Sequence, residues 1–352
     1  MGMNRRMRRG TCSLAVVLLP LLGLSSCGNG PSVAGGGTGG TGISVAATGT
    51  LTRGSFSVNG LRDPRSSLPG AVIRVDDDPN GTEEMLRTGM QVHVKAYKIQ
   101  DDPQTPEVEV QIEAIETEPE VRGMMNDDDL TDDRFTVLGQ TQTVLFDDLT
   151  VIEMRSAGPD NTMGTADDIF VQKTRDDLAD GIEVGVHGGR DDLGRIRATR
   201  IELRDDDPED RLMGTVENLD PGVSFVLNGL TVRYSPSSTV ISPMGAEIKN
   251  GTFVEVHGTL SQSGGFDATG IDVEDLEDTE FDPEDGEEYR VEGYVSGYAG
   301  PPDTLFSVGT TSVRIDGDTR ISGGVLANGV RVEAEGHYNQ ATQTLDAEEI
   351  RI

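Results

Sequence analysis

The sequence predicts an all-β protein made of four tandem, small, five-stranded antiparallel barrels. Apolar residues occupy every second position in short runs bounded by Gly, Asn and Asp, a pattern typical of half-buried strands. A unit of about 60–80 residues recurs along the chain, which indicates a repeat architecture. No segment keeps a 3.6-residue period over the length that a confident helix requires. The 45 glycines fit many turns between short strands.

The chain begins with an expected export signal at residues 1–26. Four arginines precede the run Leu14–Leu24, which is almost wholly apolar. An apolar run of about 10 residues is too short to cross a bilayer as a helix, but it is typical of the central region of a signal peptide.

The quartet Leu24-Ser25-Ser26-Cys27 resembles the lipobox of bacterial lipoproteins. The resemblance implies that Cys27 carries a diacylglyceryl group and becomes the first residue of the mature chain. Gly28 follows it rather than Asp, so we expect an anchor in the outer membrane, facing the periplasm or the cell surface. A plain secretory signal with an incidental cysteine is the alternative. Cys12 lies in the signal, so the mature chain would have no internal disulfide.

Residues 27–42 predict a flexible tether, because they are mostly Gly, Ser, Thr and Ala. The folded part is expected to follow at Ile43. The predicted domains are a first barrel at 43–118, a second at 119–204, a third at 211–275, an acidic linker at 276–289 and a fourth barrel at 290–352.

Each barrel carries the same sequence landmarks. The first glycine of each copy opens an alternating strand, and these glycines are Gly49, Gly123, Gly214 and Gly293. A second glycine precedes a later strand at Gly89, Gly181, Gly251 and Gly329. Three copies contain a Thr-x-Ile motif, beginning at Thr150, Thr239 and Thr319. Asn-Gly pairs at Asn59 and Asn228 predict tight hairpins, because both positions need a positive φ.

Five short strands cannot remain a flat sheet without leaving open edges, so we expect each unit to close into a barrel. Three strands, a longer connection with Thr-x-Ile and two more strands favour OB-like closure. An SH3-like barrel or half of a sandwich would also fit the pattern. Acidic stretches at Arg204–Arg211 and Glu277–Glu288 predict linkers, so we expect barrels that each fold alone and are joined like beads.

Three stretches in or just before the first copy indicate a family resemblance: "GGTGGTGIS" (Gly36–Ser44), "FSVNG" (Phe56–Gly60) and "LRTGMQVHVKA" (Leu86–Ala96). Together with the later copies, they resemble the DUF5666 family of bacterial domains of unknown function. The resemblance implies tandem domains on an exported lipoprotein and implies no chemistry. The first copy departs from the pattern because it lacks Thr-x-Ile, and the second carries an insertion.

That insertion, "AGPDNTMGTADDI" (Ala157–Ile169), is the most chemically suggestive stretch. Asp160 and Asn161 precede Gly164, and Asp167 and Asp168 follow it. Calcium prefers six to eight oxygen ligands in a flexible loop, so these four residues are candidate calcium ligands. The spacing is not that of an EF-hand, and a solvated acidic hairpin tip is the alternative.

The remaining polar residues give no recognisable catalytic motif. Histidines occur once per copy, at His93, His187, His257 and His337, and we interpret them as residues of the barrel surface or rim. We find no nucleophile motif, no H-E-x-x-H zinc motif and no Gly-rich phosphate loop.

Charge and composition narrow the function classes. The formal net charge is −33, so DNA or RNA is an unfavourable partner, because binding a polyanion needs the opposite surface. We therefore expect a non-catalytic binding or scaffolding module for an envelope protein or glycan. The alternative is a hydrolytic enzyme of unfamiliar type that uses the acidic clusters.

Overall fold

The computed structural model describes residues 43–352 except 53–55, 77–79, 101–106, 140, 206–208, 263, 274–282 and 302–303. All of the described residues belong to one compact unit. The predicted signal, Cys27 and the tether lie outside them. Within the described ranges the regular structure is strand, with short 3₁₀ turns at Glu83–Met85, Leu130–Asp132 and Arg175–Asp177. No helix of this part is long and apolar enough to span a membrane.

The described residues contain twenty-six strands, which divide among the four repeats. The first repeat contains β1 (Ser44–Thr50), β2 (Ser57–Val58), β3 (Leu61–Arg62), β4 (Val72–Val75), β5 (Gln91–Gln100) and β6 (Val108–Thr117). The second contains β7 (Val121–Asp129), β8 (Arg134–Val137), β9 (Gln142–Leu145), β10 (Val151–Ser156), β11 (Ile169–Gln172), β12 (Glu183–Arg190) and β13 (Ile196–Arg204).

The third repeat contains β14 (Asp210–Thr215), β15 (Glu217–Asp220), β16 (Ser224–Leu227), β17 (Leu230–Arg233), β18 (Val240–Ser242), β19 (Phe253–Leu260) and β20 (Phe266–Val273). The fourth contains β21 (Glu288–Ser296), β22 (Leu305–Val308), β23 (Thr311–Arg314), β24 (Arg320–Ser322), β25 (Arg331–Asn339) and β26 (Thr344–Arg351). The strand β21 therefore begins inside the stretch that was predicted to be a linker.

The four repeats close in one strand order, which is that of an OB barrel. In the fourth repeat, β21 pairs with β22, β22 with β23, β23 with β26, β26 with β25, and β25 with β21. The β23–β26 pair is parallel and the other pairs are antiparallel. The other repeats follow the same order. The predicted all-β class and OB-like closure are confirmed.

The sequence landmarks occupy the positions that the backbone requires. Asn59, Gly60, Asn228 and Gly229 all have positive φ, as the predicted hairpin turns need. The second glycine of every repeat also has a positive φ, between 76° and 90°. In the first repeat its N–H donates to the carbonyl of Leu51, which follows β1. In the other repeats it donates to the carbonyls of Met125, Val216 and Val295.

The repeats are joined by strand pairing, which corrects the expectation of separate beads. In the first and fourth repeats, β1 pairs in parallel with β21, from Val45 opposite Glu288 to Thr48 opposite Val291. In the second and third repeats, β7 pairs antiparallel with β14. Two sheets of 12 and 14 strands result. Edge strands expose unpaired N–H and C=O groups, and here neighbouring repeats satisfy them.

The buried apolar residues in the described part of the chain form three cores. One core extends through both the second and third repeats, from Val121 to Ile271. The first repeat has its own core, and so does the fourth, to which Ala46 of the first repeat contributes. The outer faces of the strands carry the charged residues.

Candidate functional site: an ionic cluster buried between repeats

The predicted calcium loop connects β10 to β11, and its aspartates have different environments. The Asp168 side chain is 1% exposed and turns into the protein. Its Oδ2 accepts hydrogen bonds from Arg155 Nε at 2.6 Å and from the Gly164 N–H at 2.9 Å. Asp168 is therefore the partner of a buried arginine.

The other candidate ligands face solvent. Asp160 Oδ1 accepts a hydrogen bond from the Thr162 N–H at 2.8 Å, and Asp167 Oδ1 accepts one from Thr165 Oγ1 at 2.7 Å. Asn161 is exposed and has a positive φ of 55°. The Asp160 N–H reaches Asp167 Oδ2 at 3.3 Å. The loop brings Asp160 and Asp167 together and directs Asp168 away from them.

Nowhere in the described ranges do three or more His, Cys, Asp or Glu side chains form a group that could hold a metal ion. Calcium binding by the loop stays a prediction. The buried partner of Asp168 instead leads to a larger group of charges.

Arg155 belongs to a charged face on the outside of the second barrel. The strands β10 and β13 run parallel, with Glu153 opposite Glu202 and Arg155 opposite Arg204. Because side chains alternate along a strand, these residues and Arg200 lie on one face, while Ile152 and Ile201 point into the core. The Arg155 Nη1 lies 3.2 Å from Glu202 Oε1, and Arg200 Nη2 lies 2.8 Å from Glu153 Oε2.

The first repeat covers this face with Asp76, the residue that follows β4. Asp76 lies 2.9 Å from Arg155, 3.2 Å from Arg122 and 3.7 Å from Arg204. Arg122 on β7 stands directly opposite Arg211 on β14. The Asp76 carboxylate therefore lies where the first, second and third repeats meet, and it neutralises arginines that would otherwise repel one another.

The cluster shifts the proton affinities of its members. Burial by itself would raise the pKa of Asp76, but the guanidinium groups of Arg122, Arg155, Arg211 and Arg204 outweigh it and hold that pKa far below its ordinary value. Burial by itself would also raise the pKa of Glu202, but the charges of Arg155 and Arg200 outweigh burial and lower that pKa. These carboxylates are therefore ionised.

A second contact from the first repeat is centred on Glu153. Arg87 places its Nε and Nη2 atoms 3.2 and 3.1 Å from the two Glu153 oxygens. The guanidinium carbon of Arg87 also lies 4.5 Å from the centroid of the Phe170 ring, and those of Arg155 and Arg200 lie 5.7 and 5.8 Å from it. Phe170 on β11 is thus a cation–π platform beneath three arginines.

His187 on β12 is buried beside the cluster, 3% exposed, which corrects its interpretation as a surface or rim residue. Burial is the main cause that lowers the pKa of His187 to about 4. Asp76 and Glu202 oppose this lowering, whereas Arg200 and Arg122 add to it. The imidazole is therefore neutral at pH 7.

Chemically, this arrangement holds repeats together. A buried ion pair gains little net stability because desolvation offsets the Coulomb attraction, but removing one partner leaves an uncompensated charge. The cluster therefore specifies which faces of the repeats pack and in which register. The sequence does not predict this cluster. Its charged residues alternate with apolar ones in "VIEMRS" and "ATRIELR", a pattern that fits an exposed strand face equally well.

Comparison with known proteins bears on the repeats. The family model DUF5666, a domain of unknown function, matches residues 122–202, 213–272 and 292–351, which together make up more than half of the chain. The chain belongs to the DUF5666 family. The matches fall on the second, third and fourth repeats, and the first lies outside them.

No curated protein matches the sequence. Among solved structures, drosophila Unr CSD456 is similar at 15% identity, over 65% of this chain and 95% of that one, with a TM-score of 0.17.

The recurring residues of the DUF5666 repeats have structural roles. In the motif Thr-x-Ile, each threonine Oγ1 donates to an alanine carbonyl of the last strand: Thr150 to Ala198, Thr239 to Ala268 and Thr319 to Ala347. Each also accepts the N–H of a residue in the preceding loop. The first repeat, which lacks the motif, uses the buried Asp63, whose Oδ2 accepts the Ile112 N–H at 2.9 Å.

A glycine in the fourth strand of the DUF5666 barrel was not singled out by sequence analysis. Gly188, Gly258 and Gly336 lie at a β-bulge, where an added Cβ would come within 2.0 to 2.3 Å of a carbonyl oxygen of the last strand. Only glycine fits such a close backbone approach. The first repeat has Ala96 beside its own bulge.

Proposed function

We propose that this DUF5666 chain is a lipid-anchored, non-catalytic binding or scaffolding module of the cell envelope. One observation carries the proposal: the buried arginines and carboxylates pair with one another across repeats, with Asp76 as the shared partner of Arg122, Arg155 and Arg204. Charged groups that are paired in this way fix the packing and the relative register of the repeats, so we assign them a structural role. A rigid array of barrels presents strand faces and loops to a partner.

The anchor follows from the sequence at Cys27. Two or three acyl chains would hold the protein at a membrane, since each buried CH₂ contributes about 0.8 kcal/mol. Mass spectrometry of the mature protein is expected to find a diacylglyceryl group on an N-terminal Cys27. Cys27→Ser is expected to release the protein from the membrane fraction. An unmodified N-terminus elsewhere would contradict the anchor.

The partner is an envelope protein or glycan, since the net charge of −33 disfavours nucleic acid. The test is affinity capture from envelope extract with the chain from Gly28 onward, followed by direct titration of each captured species in purified form. Stoichiometric binding that leaves the partner chemically unchanged supports the proposal. Catalytic cleavage of a captured glycan or peptide would support a hydrolase instead.

A further inference from the structure

The strand β11 ends the 14-stranded sheet and leaves an apolar edge. In the part of the chain that the structure describes, it pairs with β10 alone. Ile169 is 51% exposed and Val171 is 49% exposed. Natural sheets usually protect such edges with charges, proline or bulges. The sequence of β11, Ile-Phe-Val-Gln, contains none of these within the strand.

Hydrogen bonds to β10 show which residues of β11 direct their backbone groups toward the free edge. The Lys173 N–H donates to the Ile152 carbonyl at 2.8 Å, so the backbone N–H and C=O of Lys173 face β10. N–H and C=O groups alternate in direction along a strand, so those of Ile169 and Val171 face β10 as well. The backbone groups of Phe170 and Gln172 therefore point away from the sheet.

From this geometry we infer that β11 is a dimerisation edge and that its occupant is the β11 strand of a second copy of this chain. Two such strands pair antiparallel about a two-fold axis, with Phe170 opposite Gln172 of the other copy, twice. Val171 then lies opposite its own counterpart at the axis. A two-fold interface must be self-complementary, and this register meets that condition.

Side chains support the same register. Val171 stands opposite Met154 of β10, which packs against the core, so the apolar face of β10 continues through Val171 toward the second copy. Lys173 follows β11, with its Nζ 3.0 Å from Asp177 Oδ1 of the same chain, and the exposed Asp167 precedes the strand. Antiparallel pairing brings the Lys173 end of one strand toward the Asp167 end of the other, so the ends of two copies are complementary in charge.

The chain already uses edge pairing to join its own repeats. The β7–β14 pair lies in the same sheet, and it links two barrels through antiparallel pairing. The dimer would extend this sheet across a second copy. The insertion of the second repeat, which leads into β11 at Ile169, thus lies beside the dimer contact.

The experiment uses the chain from Gly28 onward, which contains the whole compact described unit and neither of the two native cysteines. Sedimentation velocity over a concentration series is expected to show the mass double as concentration rises. Val171→Glu places like charges at the axis and is expected to return the protein to monomer. The control Leu193→Glu, at a 69% exposed site elsewhere in the repeat, is expected to dimerise as the wild type does.

Disulfide trapping distinguishes this register from other contacts. Residues opposite each other at a non-hydrogen-bonded antiparallel position have Cβ atoms about 4.5–5.5 Å apart. Val171→Cys is therefore expected to form a disulfide-linked dimer under mild oxidation, and Leu193→Cys is expected to remain monomeric. A wild type that stays monomeric throughout, or Val171→Cys that cross-links no faster than Leu193→Cys, would overturn the inference.

Discussion

The Arg155 guanidinium of the second repeat lies 2.9 Å from the Asp76 carboxylate of the first. Arg155 is 1% exposed and Asp76 is 16% exposed, so water screens the pair little. The same carboxylate contacts Arg122 and Arg204. A single residue after β4 thus connects three arginines whose strands belong to another barrel.

Asp76→Asn is expected to lower the free energy of unfolding by about 3–5 kcal/mol, because it leaves several buried arginines without their shared counter-charge. Urea unfolding at pH 7 measures the loss. The matched control is Asp267→Asn, which breaks an exposed pair with Arg233 and is expected to cost about 1 kcal/mol or less. Equal effects of the two variants would contradict a special role for the cluster.

Asp168→Asn is expected to destabilise the protein by about 1.5–3 kcal/mol, because Asp168 makes a charged hydrogen bond to the buried Arg155. Urea unfolding in chelator measures this loss without a contribution from the predicted calcium site. Asp167→Asn, at an exposed carboxylate, is expected to have little effect. A calcium-dependent rise in melting temperature that disappears in Asp167→Asn would instead support the calcium loop.

The buried, neutral His187 is expected to make the folded protein less stable in mild acid. Its pKa is about 4 in the folded protein and about 6.5 when unfolded. As pH falls from about 6.5 to about 4, His187 binds a proton in the unfolded chain but not in the folded one. The free energy of unfolding therefore falls by up to about 3 kcal/mol. Above about pH 6.5 this contribution vanishes.

His187→Gln is expected to remove that part of the pH dependence, which urea unfolding across the same range would measure. The lowered pKa of Asp76 affects stability over a different pH range. Its stabilising contribution is fully present above the unfolded pKa of about 3.9 and is lost only as pH falls below that value. Identical pH profiles of the wild type and His187→Gln would contradict the buried, neutral histidine.

The sequence predicted the architecture of one repeat well and the joining of repeats poorly. Residues such as Gly181 and Thr239 recur at similar places in the repeats because their roles depend on local backbone geometry, so the sequence reveals them. Pairing of β1 with β21 depends on two edges far apart in sequence, and no local pattern encodes it. Arg200 and Glu202 look like surface residues because alternation identifies the outward face but not what covers it.

Thr239→Val is expected to cost about 1–3 kcal/mol, because it removes the hydrogen bond to the Ala268 carbonyl and leaves that group without its partner at a site where Thr239 is 6% exposed. Thermal unfolding measures the change. Thr231→Val, on the exposed face of β17, is the matched control and is expected to be nearly neutral. A neutral Thr239→Val would mean that the motif serves another purpose.

The central claim is that strand pairing between repeats joins the barrels, and residue-resolved hydrogen exchange tests it most directly. The amides of Val45–Thr48 face two neighbours, β5 within the barrel and β21 of the fourth repeat. We predict that alternate amides in this segment exchange slowly in the full chain and at least about tenfold faster in a chain that ends at residue 275, because removing β21 leaves their edge open. Equal protection in the two chains would contradict the claim.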